Sequence, residues 1–189
     1  NHNVSEHYFD CDSKLPDGQA RVEKALNLSL VGNAGANMIY ESAGMHASLL
    51  GFSLESLVID NDIIGATQRT IKGIEVNDER LSFETIKDVC LNGPGHFLGS
   101  DQTLQLMQTE YLYPGVGDRK SPNEWNEQGG LDVAQRAMAK VEEILGHNFP
   151  SHVAEAVDAE IRRRFPVKLD RAHMLPPVDS AAARRVGSR

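Results

Sequence analysis

Two cysteines, one tryptophan and an aromatic share of 6% are all that these 189 residues hold. Cys11 and Cys90 alone make no disulfide framework and suit a reducing compartment, so a cytoplasmic protein is expected. No apolar run approaches the roughly 18 residues that a membrane span needs. No charged-then-apolar signal segment opens the chain, so neither export nor a membrane partner is expected. Positive charge is in the minority, with 19 Lys and Arg against 27 Asp and Glu and a net charge of −8. That balance repels phosphate backbones and argues against a nucleic-acid partner. HExxH and CxxC spacings are absent, and His147 and His152 stand five apart and off one helical face, so no tightly bound metal is expected. Gly93-Pro94-Gly95 and Gly115-Val116-Gly117 are too short for a nucleotide-binding loop and lack a strand–GxGxxG–helix setting. Arg162-Arg163-Arg164 reads as a helix C-terminus favoured by the helix dipole.

What is present is an ordinary globular composition, 40% apolar and 24% charged, at a length that supports a real core. Pro16 is placed for a first helical position, with Val22, Ala25, Leu26 and Leu30 at helical spacing over 19–31. Ala36-Asn37-Met38-Ile39-Tyr40, flanked by glycines, predicts a buried strand with Glu41-Ser42-Ala43-Gly44 as the loop beyond it. Ser53 caps a long helix to about Lys72 with Leu57, Ile64 and Ile71 on one face, and Gly73 ends it. Ser82 opens a shorter helix with Phe83, Ile86 and Val89, closed at Asn92. Another starts at Ser100 or Asp101 and is over by Pro114. Ser121-Pro122-Asn123-Glu124 is a capping box with proline at the first helical position. Residues 132–145 carry Val133, Ala137, Val141 and Ile144 on one stripe. Ser151 caps a last helix with Val153, Val157 and Ile161, stopped by Pro166. The sum is about seven helices and one or two strands: helix-rich, with the strand after Gly35 keeping the α/β class. No internal repeat is visible. Residues 167–189 read as a weakly ordered tail, and a start at Asn1 without methionine suggests a processed protein or a fragment.

Three stretches carry candidate chemistry. Asp12-Ser13-Lys14 sets opposite charges beside a hydroxyl, close to Tyr8-Phe9. Glu41-Ser42 follows the predicted strand, and residues just past strand C-termini line active sites in α/β folds. His96-Phe97 lies between glycines, where backbone can approach a ligand closely. Helix capping by Asp12 and Ser13, and core packing by His96 and Phe97, are the competing readings.

Taken in order, several segments resemble the trimethylamine methyltransferase family of corrinoid-dependent enzymes. They are Asp12-Ser13-Lys14-Leu15-Pro16-Asp17-Gly18-Gln19-Ala20, Gly35-Ala36-Asn37-Met38-Ile39 and Leu57-Val58-Ile59-Asp60-Asn61-Asp62-Ile63. Gly73-Ile74-Glu75-Val76-Asn77-Asp78-Glu79, Gly95-His96-Phe97-Leu98-Gly99 and Thr103-Leu104 complete the series, which runs from about residue 12 to 165. The resemblance implies the C-terminal portion of a (β/α)8 TIM barrel with extra C-terminal helices, over residues 1–166, followed by the tail at 167–189. A complete barrel takes about 250 residues, more than this chain supplies. Family members acting on trimethylamine carry pyrrolysine, whereas this chain holds only standard residues. That departure points to the non-pyrrolysine branch, which acts on quaternary amines such as glycine betaine, unless the pyrrolysine falls in absent sequence.

The implied activity moves a methyl group from a trimethylated amine to the Co(I) cobalamin of a partner corrinoid-binding protein, in one-carbon metabolism of the methanogenesis type. A neutral tertiary amine leaves, so no general acid is required. The protein's task is to hold the cation and aim one methyl. Tyr8, Phe9, Tyr40 and Phe97 are candidate aromatic faces for a quaternary ammonium. Asp12 or Glu41 is placed to balance its charge, and Lys14 or His96 to hold a substrate carboxylate. Glu41 and His96 are the candidate catalytic pair. A truncated, non-catalytic remnant or interaction module of the same family is the alternative, and an unrelated small-molecule enzyme on a similar barrel a third. Homo-oligomerisation stays open.

Overall fold

The computed structural model describes residues 5–6, 11–149 and 153–175. Tyr8, Phe9, Ser151 and the tail beyond residue 175 therefore lie outside the described residues. The chain divides into two compact units, one ending at Ala137 and one beginning at Met138.

The first unit opens with a strand–helix–strand arrangement. Strand β1 (Ser5–Glu6) pairs in parallel with β2 (Met38–Ile39), Ser5 opposite Met38, and α1 (Gly18–Asn33) lies between them in sequence. Parallel neighbours need such a crossover, so this is a βαβ unit. An antiparallel hairpin, β3 (Met45–His46) with β4 (Gly51–Phe52), follows, and then α2 (Leu54–Lys72). Helices complete the unit: α3 (Asp78–Leu81), α4 (Phe83–Leu91), α5 (Asp101–Thr109), α6 (Pro122–Glu127) and the start of α7 (Val133–His147). Helices dominate and strands are few and short among the described residues, which form no closed barrel.

The caps explain most boundaries. Asp17, not Pro16, starts α1: its carboxylate accepts from Ala20 N–H at 3.2 Å, and Pro16 sits ahead of the cap. Ser53 caps α2 by accepting from Ser56 N–H, and Gly73 ends it at φ +66°. Ser121 and Glu124 form the expected capping box. Ser82, left-handed at φ +57°, ends the unforeseen α3 and begins α4 without a side-chain cap bond.

The predicted packing faces need correction. Met38 in the expected buried strand is 56% exposed, and β2 is only two residues long. Val22, Leu26 and Leu30 of α1 are exposed, and the buried face is Ala20, Lys24, Leu28 and Gly32. On α2, Leu57 and Ile71 are exposed, and Ser56, Ile59, Asp60 and Thr67 are buried. The α1–α2 interface is thus partly polar. An apolar cluster forms around Ile59, Val116 and Ala137, with Val58, Ile63 and Val133 packed against it. Beside it, Asp62 accepts from the amides of Gly115, Val116 and Gly117 at 2.7–3.0 Å, so that glycine pair serves an internal carboxylate.

The second unit holds the remainder of α7, then α8 (Glu155–Arg164) and a 3-10 turn (Arg171–Met174). Ala154 caps α8, so Val153 precedes the helix rather than joining it. Asp158 accepts from Arg162 and Arg171, both at 2.8 Å, and Glu160 pairs with Arg163 and Arg164. The arginine run is therefore neutralised within its own helix and turn.

Candidate functional site at the ends of the parallel strands

Because β1 and β2 are parallel, the loops that follow them leave on the same side of the βαβ unit. The loop after β1 is tied to the turn of the β3–β4 hairpin, which follows the loop after β2 (residues 40–44) along the chain. Ala47 N–H donates to Ser13 O at 3.0 Å, and Ser48 N–H to Cys11 O at 3.1 Å. The Ser48 hydroxyl donates to Asp12 Oδ1 at 2.5 Å.

Beneath this seam lies a buried polar network. His46 places Nε2 at 2.5 Å from Ser56 Oγ and Nδ1 at 3.1 Å from Ser13 O. A neutral imidazole satisfies both, with Nδ1–H donating to the carbonyl and the serine hydroxyl donating to Nε2. Cys11 Sγ lies 3.7 Å from Nδ1. Burial pushes the Cys11 thiol up, opposed in part by the Lys24 charge, so it is no activated nucleophile. Lys24 and Asp60, 4% and 2% exposed, meet at 2.5 Å. The same Asp60 oxygen accepts from Gly44 N–H at 2.7 Å.

The loop after β2 and the β3–β4 turn are conformationally expensive. Glu41, Ala47, Ser48 and Leu49 all take positive φ, between 51° and 69°. Non-glycine residues reach that region at a cost of roughly 1–2 kcal/mol each, and such strain persists only where surrounding structure determines it. Gly44 is left-handed too, at φ +81°, and a Cβ there would stand 2.3 Å from the Phe52 ring.

The predicted residues divide into two groups. Asp12, bound to Ser48, and Lys14 belong to the loop after β1, and Tyr40 and Glu41 to the loop after β2 on the same side; Asp12, Lys14 and Glu41 are exposed. Asp12 N–H also donates to Glu23 at 2.9 Å. His96 and Phe97 lie in the loop between α4 and α5, exposed rather than packed in a core. Phe97 O accepts from Ser100 N–H at 3.1 Å, and no hydrogen bond among the described residues ties that loop to the other two. Tyr8 and Phe9 lie outside the described residues.

Sequence reasoning missed Lys24, His46, Ser56 and Asp60. The signal was there: Lys24 stands four residues from both Ala20 and Leu28, and Asp60 adjoins Ile59. A charge at a core-facing position demands an opposite charge facing it. A cleft of about 280 Å3, lined by Leu28, Gly32, Ile39, Ser42 and Thr67 among others, opens beside the same loop.

A βαβ unit whose strand-end loops leave on one side, with a buried ion pair anchoring the second of them, is a recognisable piece of an α/β enzyme scaffold. The chain belongs to the trimethylamine methyltransferase family, whose model matches residues 7–169. It is 38% identical over 164 residues to trimethylamine methyltransferase MttB1 of Methanosarcina acetivorans, covering 85% of this chain and 31% of the relative. Trimethylamine methyltransferase MttB of Desulfitobacterium hafniense is 34% identical over 151 residues, covering 80% of this chain and 30% of that protein. A glycine betaine methyltransferase of the same species is 29% identical over 152 residues, covering 80% and 31%. The chain thus spans about a third of the length of these relatives.

Proposed function

We propose that this chain is part of a methyltransferase that takes a methyl group from a trimethylated amine, trimethylamine or a quaternary amine such as glycine betaine. Residues 1–166 supply the later units of a (β/α)8 barrel with its C-terminal helices, and 167–189 a tail. One observation supports the reading most: in a member of this family, two parallel strands deliver their loops to one side, and the loop after β1 is hydrogen-bonded there to the β3–β4 turn that follows the loop after β2.

The acceptor is the Co(I) corrinoid of a partner protein, which supplies the attacking electron pair. The carbon–nitrogen bond breaks with its pair left on nitrogen, so a quaternary ammonium departs as a neutral tertiary amine and protonated trimethylamine as neutral dimethylamine. Neither departure needs a proton from the enzyme. His46 spends both ring nitrogens inside the fold, which suits a brace rather than a cobalt ligand. This chain's residues bind and orient instead. Glu41 and Asp12 offset the ammonium charge, Tyr40 offers an aromatic face, and Lys14 holds a carboxylate when the donor is a betaine. His96 and Phe97 act from their separate exposed loop.

The test is methyl transfer by the whole protein to reduced cobalamin, with its corrinoid partner, across trimethylamine, glycine betaine, carnitine and choline. Turnover with one member names the donor, and silence from folded protein with every member removes the proposal. Glu41→Gln is expected to lower kcat/KM at least tenfold; unchanged kinetics in both it and His96→Ala would dismiss these roles. The share of the relatives spanned here also fits a non-catalytic remnant, favoured by an intact native mass near 20.8 kDa.

A further inference from the structure

The loop that carries Tyr40 and Glu41 is held at both ends. Its first end is β2, paired to β1 through Met38 and Ile39. Its second end is Gly44, fixed from three directions. The Gly44 amide donates to Asp60 at 2.7 Å, its carbonyl accepts from Ser53 N–H at 2.9 Å, and its Cα lies against the Phe52 ring. Between these ends Glu41 takes φ +54°, a conformation it would not choose in a free loop. Asp60 reaches Gly44 from a helix, and Lys24 reaches Asp60 from another, with both side chains almost wholly removed from water.

We propose that Asp60 is a positioning residue: with its charge balanced by Lys24, it anchors the Gly44 amide and so sets the turn that presents Tyr40 and Glu41 to the cationic substrate. This rests on the function proposed above. The pair is dispensable for folding in principle, since matched apolar residues can replace a buried ion pair without loss of stability. The anchor is not dispensable, because only an acceptor at position 60 can hold Gly44.

Two double variants of the whole protein separate these roles. Lys24→Met/Asp60→Asn removes the charges but keeps a carbonyl acceptor for Gly44. Lys24→Met/Asp60→Leu removes both charges and acceptor. The first is expected to keep hydrogen-exchange protection at the Gly44 amide and a KM for the amine within about threefold of wild type. The second is expected to lose that protection and raise KM at least tenfold, with kcat changed far less. Should the second not fold, Gly44→Ala disturbs the anchored end with the ion pair intact and is expected to raise KM likewise. An active wild type with unchanged KM in the acceptor-free variant, or in Gly44→Ala where that replaces it, overturns the inference alone. KM changes of equal size in both double variants also overturn it. A wild type silent with every amine removes the proposed function, and the inference with it.

Discussion

Gly44 concentrates the constraints on the strand-end loop, and glycine alone meets them. An added methyl would meet Phe52 Cε2 at 2.3 Å, and the backbone stands at φ +81°. The exposed Phe52 ring can turn aside, but the left-handed backbone penalty stays, at about 1–2 kcal/mol. Gly44→Ala is therefore expected to lower Tm by several degrees in a thermal melt, and Phe52→Ala in the same background to recover only part of that. The two cysteines offer a second check on the residues beneath. Cys11 is buried, with its thiol pushed up by desolvation, whereas Cys90 is exposed. Iodoacetamide at neutral pH is expected to modify Cys90 within minutes and Cys11 only after denaturant is added, as read by peptide mass spectrometry. Rapid native labelling of Cys11 would contradict the buried network.

Helix α2 organises the first unit. Its N-terminal turn is capped by Ser53, Asp60 reaches the strand-end loop, and Asp62 holds three amides near Val116. Near its C-terminus, Arg69 and Lys72 meet Glu110, which also pairs with Arg80, at 3.0–3.1 Å. These four side chains line an open hollow of about 670 Å3. The hydrogen bond from Lys72, with the Lys72 and Arg80 charges, holds the Glu110 carboxyl below the ordinary range. Since the folded pKa lies below the unfolded one, about 4.3, the stabilisation is complete above that value and disappears as pH falls through the folded pKa. Glu110→Gln is expected to be less stable than wild type at pH 7, and the two denaturant midpoints to converge as pH drops below 4. A constant gap down to pH 3 would show that the charge is not responsible.

The limits of α2 were legible in the sequence because Ser53 and Gly73 act locally. Its buried face was not. Apolar spacing selects Leu57, Ile64 and Ile71, while the structure buries Ser56, Asp60 and Thr67. Periodicity counts apolar side chains, and it has no means of recognising a charge whose partner sits 36 residues away on another helix. The strand-end loops were readable in part for the opposite reason. Glu41 follows the predicted strand, so order along the chain already places it; Asp12 and Lys14 stood out only as opposite charges beside a hydroxyl, since strand β1 was not foreseen, and the seam through Ser48 depends on hairpin geometry.

At the scale of the whole molecule, the unsatisfied surface has a pattern. Val22, Leu26 and Leu30 of α1, spaced four apart, are 67%, 55% and 61% exposed. They lie opposite the partly polar face that packs on α2, so α1 carries apolar side chains on two sides, as a helix flanked by neighbours on both sides would. On the barrel reading proposed above, further βα units would cover the α1 stripe and Met38, and relatives of this family are about three times as long as the match. Exposed contiguous aliphatics favour association in water. The 189-residue chain by itself is therefore expected to elute with a light-scattering mass above 20.8 kDa. Leu26→Glu with Leu30→Lys, which breaks the stripe without touching Lys24 or Leu28, is expected to shift that mass toward the monomer. The same pair of substitutions in the longer protein is expected to destabilise it, because there the stripe would be packed. A monomeric wild-type chain together with an unaffected long protein would mean that α1 faces water in both, and the barrel reading would lose its outer helix contact.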